Sequence, residues 1–257
     1  MKIKTIKFQN FIYCLQLIKP CGVINFTKHE MWSNIMDLYH IILTQIRMKW
    51  NLKDLDQDYC LFLEIEQIYD FIQNLEIEYL NVQITENQIT INHKIFECIE
   101  KRKKVNFDIL ETSLIYKNQF QISIQKIWKY FSTLKSETLI FFENQSNGYV
   151  IDEKNNNIFD LHTQLNLNEN YIVFAVNFIR IMLQIVKKLQ IHNAINLITF
   201  HVQYETPLKI TYKNLYCDVI SYIAPRIPFD EEKEEEIKID LAEIRNKIIT
   251  PKKLGSY

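Results

Sequence analysis

The chain has 257 residues, a formal net charge of −1, 47% hydrophobic and 24% charged residues, which is typical of a folded globular protein. No apolar run reaches the roughly 18 residues that cross a bilayer, so we expect no membrane partner, and three glycines are too few for a P-loop or a dinucleotide-binding turn. The five cysteines form no C-x-x-C pair and the six histidines no H-E-x-x-H pattern, so we expect reduced thiols, no metal, no cofactor and no catalytic site.

The first half of the chain predicts a short helix followed by a β-hairpin. IEQIYDFIQNLE, residues 65–76, places Ile65, Ile68, either Phe71 or Ile72, and Leu75 on one stripe, as an amphipathic helix does. VQITENQITIN, residues 82–92, alternates apolar and polar residues on both sides of an Asn-containing turn, which predicts a hairpin.

A basic, weakly periodic segment, ECIEKRKKVNFDILETSLIYKNQ, separates the two halves at residues 97–119. One interpretation is an exposed connector whose charges are solvated. The other rests on its apolar residues, which are Val105, Phe107, Ile109 and Leu110. An exposed connector with such a stripe can dock a partner peptide.

The second half repeats the pattern of the first. IQKIWKYFSTLKS, residues 124–136, places Ile124, Ile127, Phe131 and Leu134 on one stripe. FAVNFIRIMLQIVKKLQ, residues 174–190, is longer and also has an apolar stripe at helical spacing. INLITFHVQYETPLKITYKN, residues 195–214, alternates apolar and polar residues around a turn, and shorter strands are predicted over residues 138–165. The order strand, helix, hairpin thus occurs twice, which predicts two related α+β halves.

Near its end the chain runs from an apolar strand into a block of acids, YIAPRIPFDEEKEEE. Pro225 and Pro228 lack a backbone donor and fix φ, so we expect the sheet to stop there. Beyond the acids, apolar residues follow at spacings of four, three and four: Ile237, Leu241, Ile244 and Ile248. This stripe predicts an amphipathic helix that docks on its own body or on another subunit, and a flexible solvated tail is the alternative.

Three segments carry a family resemblance: VFAVNFIRIM at residues 173–182, ETPLKITY at residues 205–212, and SYIAPRI at the end of the last predicted strand. Together they resemble proliferating cell nuclear antigen, the sliding clamp of DNA replication. The resemblance implies an α+β DNA-clamp fold, in which two related halves each have an antiparallel sheet and short helices on one face. The implied domains are an N-terminal clamp half with a shortened start (1–104), an interdomain connector (105–119), a C-terminal clamp half (120–227) and a charged amphipathic tail (228–257).

The resemblance implies a ring of three subunits around duplex DNA, whose bore-lining helices contact phosphates without reading bases. The residues implied to face DNA are Lys126, Lys129, Arg180, Lys187 and Lys188. For Lys187 and Lys188, a solvated pair at the end of a helix is the alternative. Gln67 and Asp70 stand where the family usually has lysines, and an acid repels phosphate, so DNA binding is expected to be weak or to depend on a complex.

The family uses the connector and the C-terminal arm to bind short partner peptides. By resemblance, the pocket residues here are Phe107, Ile109, Leu110, Tyr222, Ala224, Pro225, Arg226 and Ile227. The implied function is a nuclear, non-catalytic scaffold that tethers DNA replication, repair or modification enzymes to DNA.

The N-terminus departs from the family pattern. If Cys21-Gly22-Val23 is the turn into the third strand, too few residues precede it for a full first strand, first helix and second strand. We therefore expect either a first helix shortened to a segment such as FQNFIYC or a chain that starts inside this helix, and in both cases an altered ring contact. Two alternatives follow: a subunit of a heteromeric checkpoint clamp, and a clamp-like accessory subunit of a larger DNA-processing enzyme complex that does not encircle DNA.

Overall fold

The structure, a computed structural model, describes residues 1–50, 55–99, 114–134, 136–145, 147–152, 157–167, 171–190, 194, 196–226, 237 and 240–246. The N-terminal half contains β1 (Lys2–Lys4), α1 (Thr5–Gln16), β2 (Cys21–Phe26), β3 (Glu30–Met36), β4 (Ile42–Lys49), β5 (Tyr59–Glu64), α2 (Ile65–Ile72), β6 (Tyr79–Ile84), β7 (Gln88–Ile91) and β8 (Lys94–Glu97). The C-terminal half contains β9 (Asn118–Ser123), α3 (Ile124–Thr133), β10 (Thr138–Asn144), β11 (Asn147–Asp152), β12 (Asn157–Gln164), β13 (Tyr171–Ala175), α4 (Val176–Leu189), β14 (Leu197–Val202), β15 (Leu208–Lys213) and β16 (Cys217–Ile223).

Both halves follow one order of elements: strand, helix, four strands, helix, three strands. The predicted repetition is therefore confirmed. Each half keeps one four-stranded antiparallel sheet, ordered β1-β6-β7-β8 in the first half and β12-β11-β10-β13 in the second. The remaining strands form a single eight-stranded sheet, ordered β5-β2-β3-β4-β16-β15-β14-β9, so the two halves are joined where β4 pairs with β16.

The helices pack side by side in one layer. α1 contacts both α2 and α4, and α4 contacts α3, which gives the spatial order α3, α4, α1, α2. Most residues of the predicted stripes are buried: Ile65, Ile68 and Ile72 on α2, and Ile124, Ile127 and Phe131 on α3. Leu75, also predicted, lies beyond the end of α2 and is half-buried. Because these stripes face the sheets, the polar side of every helix in the layer points away from the core.

The N-terminus differs from the expectation of a shortened first helix. β1 is only three residues long, but Ile3 pairs with Leu80 of β6 and is fully buried, so the short strand still closes its sheet. α1 follows at once and runs for 12 residues with Phe8 and Phe11 in the core. Cys21 then begins the second strand and not the third. The expected shortening of the first helix is wrong, because the three-residue first strand leaves enough chain for a full helix before Cys21.

The C-terminal four-stranded sheet is buried on both faces. On β10, Leu139 and Phe141 belong to the main core, while Ile140 and Phe142 point to the opposite face and join a second apolar cluster. That cluster is completed by three residues of the tail, Ile237, Leu241 and Ile244. The described part of the tail thus docks on its own chain, as the apolar stripe indicated.

The seam between the halves provides a test of how they are held together. Thr44 and Ser221 are fully buried partners across β4 and β16, with their hydroxyl oxygens 2.8 Å apart. Thr44→Val leaves the Ser221 hydroxyl without this bond, so we expect chemical denaturation to show a loss of about 1–3 kcal/mol in the free energy of unfolding. Thr44→Val/Ser221→Ala should lose less than the sum of the single variants, and strictly additive losses would contradict the coupling.

Candidate functional site

The polar side of the helix layer carries most of the residues implied to face DNA. Lys126 and Lys129 of α3 and Lys187 and Lys188 of α4 are exposed. The Ser123 hydroxyl accepts a hydrogen bond from the Lys126 backbone amide at 3.1 Å, which caps α3 and fixes where its exposed face begins. Since α3 and α4 are neighbours, the fold brings these four lysines onto one surface.

Arg180 has a different environment from the lysines. Its guanidinium Nη2 donates a hydrogen bond to the carbonyl oxygen of Leu134 at 2.5 Å, and the residue is half-buried. This bond satisfies a carbonyl just past the end of α3 and links α3 to α4. Arg180 therefore contributes positive charge to the layer from a fixed position between the two helices.

Three of the predicted lysines lie over aromatic rings. The Nζ atom of Lys187 is 4.2 Å from the Trp128 ring centroid, that of Lys188 is 5.3 Å from the Tyr13 ring, and that of Lys126 is 5.5 Å from the Phe159 ring. Each such contact is worth about 0.5–1 kcal/mol at an exposed site. The rings hold the lysine stems against the surface while the ammonium groups remain exposed.

The net positive charge of the helix layer lies in the C-terminal half. The helices α3 and α4 carry five bases and no acid, whereas α1 and α2 carry one lysine and two acids. Both acids, Glu66 and Asp70, are exposed on α2. Asp70, which stands where the clamp family usually has a lysine, therefore lies on the same surface as the four lysines but at the opposite end of the helix layer.

A second surface lies on the face of the eight-stranded sheet turned away from the main core. Met36, Leu43 and Tyr222 form one cross-strand row, since Leu43 is paired with Met36 on one side and with Tyr222 on the other. Lys209 continues the row from β15, with its Nζ 5.4 Å from the Tyr222 ring. The row is apolar at one end and basic at the other.

The described end of the connector lies on this same face. The Tyr116 ring packs edge-on against His201 with centroids 5.7 Å apart, and its hydroxyl donates to the Pro207 carbonyl at 2.8 Å. Burial, with the neighbouring Tyr222 second, raises the pKa of Tyr116 above its ordinary value. The tyrosine therefore stays neutral and fixes the connector next to the Tyr222 row.

The turn between β3 and β4 closes the other end of the row. One carboxylate oxygen of Asp37 accepts the Ile41 amide at 2.7 Å and the other accepts the Tyr39 amide at 3.2 Å, which fixes the turn. Leu38 and Tyr39 are held at its tip with 66% and 79% of their surface exposed. The Ile41 carbonyl accepts the Ala224 amide at 2.8 Å, so the C-terminal arm runs beside this turn.

Sequence reasoning missed Met36, Leu38 and Tyr39. The signal was present in MDLYHII, where two large apolar side chains occupy a turn that usually carries polar ones. We name the surface formed by Met36, Leu43, Tyr116, His201, Lys209, Tyr222, Ala224 and the Leu38–Tyr39 tip the arm groove.

The predicted pocket residues fall partly within the arm groove. Tyr222 is buried, Ala224 and Pro225 are half-buried, and Arg226 is exposed. β16 ends at Ile223, as expected from the prolines, and the Arg226 amide donates to the Val173 carbonyl at 2.7 Å, which ties the arm to β13. The remaining predicted pocket residues, Phe107, Ile109, Leu110 and Ile227, lie outside the described residues.

Two further findings concern ligands and membranes. Within the described parts of the chain, no three His, Cys, Asp or Glu side chains are grouped so that they could hold a metal ion. The same residues include no helix with the length and apolarity needed to cross a bilayer.

Two α+β halves fused through one sheet, with their helices in a single layer, define the DNA sliding-clamp fold. Solved structures of proliferating cell nuclear antigen (PCNA) share it with this chain. The structure of the C-terminal region of FEN-1 bound to A. fulgidus PCNA matches with a TM-score of 0.66 at 12% identity, over 89% of this chain and 98% of that one. The PCNA2-PCNA3 complex from Sulfolobus tokodaii matches with 0.66 at 13% identity, over 88% and 99%.

PCNA from Entamoeba histolytica matches with a TM-score of 0.63 at 14% identity, over 88% of this chain and 98% of that one. No family model matches the sequence, and no curated protein matches it. The likeness to these clamps is thus a likeness of fold.

The arm groove contains a histidine whose charge should affect stability. Burial, and second the nearby Lys209, lower the pKa of His201 below its ordinary value. The unfolded chain therefore binds a proton more readily, so the free energy of unfolding should fall as the pH drops below about 6.5. Urea denaturation at several pH values should show a flatter pH dependence for His201→Gln, whose side chain does not titrate, and equal dependence in both proteins would contradict this.

Proposed function

We propose that this chain is a sliding-clamp-like, non-catalytic scaffold that tethers DNA replication, repair or modification enzymes to DNA. The observation that carries the proposal is the clamp fold with Lys126, Lys129, Lys187 and Lys188 on the exposed side of its helix layer. Lysines on such a surface attract phosphates of any sequence, so the contact is non-specific and sensitive to salt.

The charge distribution sets the strength of the proposed contact with duplex DNA. Glu66 and Asp70 repel phosphate at one end of the layer, so one subunit offers an attractive surface only along α3 and α4. Binding by a single subunit should therefore be weak, and stable binding should require other subunits. A nuclear location is part of this proposal, because it would place the chain with its DNA.

The arm groove is the proposed binding surface for partner proteins. Its exposed apolar tip, the Met36–Leu43–Tyr222 row and the basic Lys209 offer a hydrophobic centre with a polar rim. Such a groove suits a short peptide with apolar or aromatic anchors. The FEN-1 C-terminal region bound to A. fulgidus PCNA is a precedent for peptide binding by a protein of this fold.

A heteromeric assembly is the second candidate. The helix layer has a net positive charge on one half only, and different subunits with complementary charge would complete a basic bore. The PCNA2-PCNA3 complex from Sulfolobus tokodaii is a precedent for unlike clamp subunits binding each other. A checkpoint-clamp subunit falls under this candidate, whereas a clamp-like accessory subunit of a larger DNA-processing complex that does not encircle DNA is a separate alternative.

Size measurement and DNA loading separate these possibilities. A trimer of the pure protein that is retained on closed circular DNA and lost on linearisation would support a homomeric clamp. A monomer that is retained on circles only with other subunits would support the heteromeric form. A monomer with no affinity for DNA under either condition would contradict the proposed tethering.

The lysines of α3 provide a direct test of the DNA contact. Lys126→Glu/Lys129→Glu should weaken binding to duplex DNA at low salt and reduce the slope of log affinity against log salt by about two, because two phosphate contacts are lost. Lys28→Glu/Lys117→Glu is the matched control, since it makes the same change in net charge at two exposed lysines outside the helices. Equal weakening by both pairs would mean that only overall charge matters.

The arm groove can be tested with the FEN-1 C-terminal region as a peptide probe. Met36→Glu places a charge in the apolar row, and we expect fluorescence anisotropy to show at least about ten-fold weaker binding. Ile95→Glu is the control, because Ile95 is also exposed but lies on β8, in a different sheet. Binding that survives Met36→Glu, or that is lost equally in the control, would place the peptide elsewhere.

A further inference from the structure

The C-terminal four-stranded sheet has an apolar face directed away from the main core, which we call the outer face. It is formed by Ile140, Phe142, Tyr149, Ile151 and Val173. The face of the N-terminal four-stranded sheet that is turned away from the core is mixed, with exposed Lys2, Lys4, Asn81 and Gln83 beside exposed Tyr79 and Ile95. In the C-terminal sheet, by contrast, the outer face is a continuous hydrophobic surface that must be covered.

The chain's own tail covers the outer face. Ile237, Leu241 and Ile244 lie against it with 7%, 2% and 4% of their surface exposed. Their spacings of four and three residues put them on one side of a helix, while Ala242 on the other side is exposed. The outer face is thus shaped to accept an amphipathic helix with aliphatic residues at i, i+4 and i+7.

Polar contacts also join the tail helix to the sheet. Among them, the Asn144 amide donates to the Arg245 carbonyl at 3.5 Å, and Arg245 Nε donates to the Glu143 carbonyl at 3.3 Å. The tail's described apolar residues belong to a cluster separate from the main core, so releasing the tail gives up contacts of that cluster alone and regains conformational entropy. Attachment to the same chain keeps the tail at a high effective concentration beside the outer face.

We propose that the outer face is a helix-binding site for a partner protein, and that the chain's own tail is the resident occupant that keeps it closed. The partner is an amphipathic helix with the tail's pattern of three aliphatic residues. A partner helix binds when it displaces the tail. The outer face contains none of the arm-groove residues and none of the lysines of α3 and α4, so it is a separate site. The proposal does not rest on DNA binding.

The test uses the full chain and a fluorescent peptide with the sequence of residues 236–248 as a model partner helix. Leu241→Asp/Ile244→Asp should release the tail and open the site, so the peptide should bind this variant at least about ten-fold more tightly than the wild-type chain. Ala242→Asp is the matched control, because this residue is exposed, and it should bind the peptide as weakly as wild type. Equally weak binding to the opened variant would overturn the proposal.

Hydrogen exchange of the wild-type chain keeps the proposal testable if the opened variant does not fold. Amides of residues 241–246 should exchange through local release of the tail, well before those of β10 and β13, and saturating peptide should accelerate their exchange. Exchange of these amides only together with β10 and β13 would show that the tail is a permanent layer of the fold. That result would also overturn the proposal.

Discussion

The antiparallel pairing of β4 with β16 is the interaction on which the rest of the structure depends. It runs over seven residue pairs, from Ile42↔Ile223 to Met48↔Cys217, and turns two sheets into one. Because the halves share this sheet, α1 of the first half packs against α4 of the second, and the four helices form one layer. The same pairing places Leu43 beside Tyr222, so the arm groove is assembled from both halves. The single pairing of β4 with β16 therefore produces both the helix layer and the arm groove, which lie on opposite sides of the shared sheet.

The charges of the helix layer divide it functionally. In the α3–α4 part, aromatic rings under Lys126, Lys187 and Lys188 keep cations near the surface without neutralising them. In the α2 part, Glu66 and Asp70 oppose any anion. A polyanion that contacts the layer is therefore drawn towards the C-terminal half, and the direction of approach is set by the protein's field rather than by shape. Unequal halves of this kind suit an assembly in which neighbouring subunits complete the surface.

Local pattern was sufficient to predict much of the fold. The stripes of α2 and α3, the repeated order of elements, and the end of β16 before Pro225 follow from periodicity and from proline chemistry. The N-terminus was predicted wrongly because three residues of β1 carry too little pattern to be recognised as a strand. The site was harder, since Met36, Leu43 and Tyr222 meet only through cross-strand register, which no local pattern encodes. Likewise, no local pattern predicted that Arg180 donates a hydrogen bond to the Leu134 carbonyl.

The covering of β10 by the tail has a consequence for synthesis of the chain. Phe142 leaves the ribosome about a hundred residues before Ile237, which at about 5–20 residues per second leaves the outer face bare for roughly 5–20 s. During that interval TLIFF of β10 is an apolar, uncharged β-forming segment, the kind that pairs with other chains. Each newly made molecule thus passes through a period in which the tail helix has yet to be made, and the docking of that helix then covers this aggregation-prone segment.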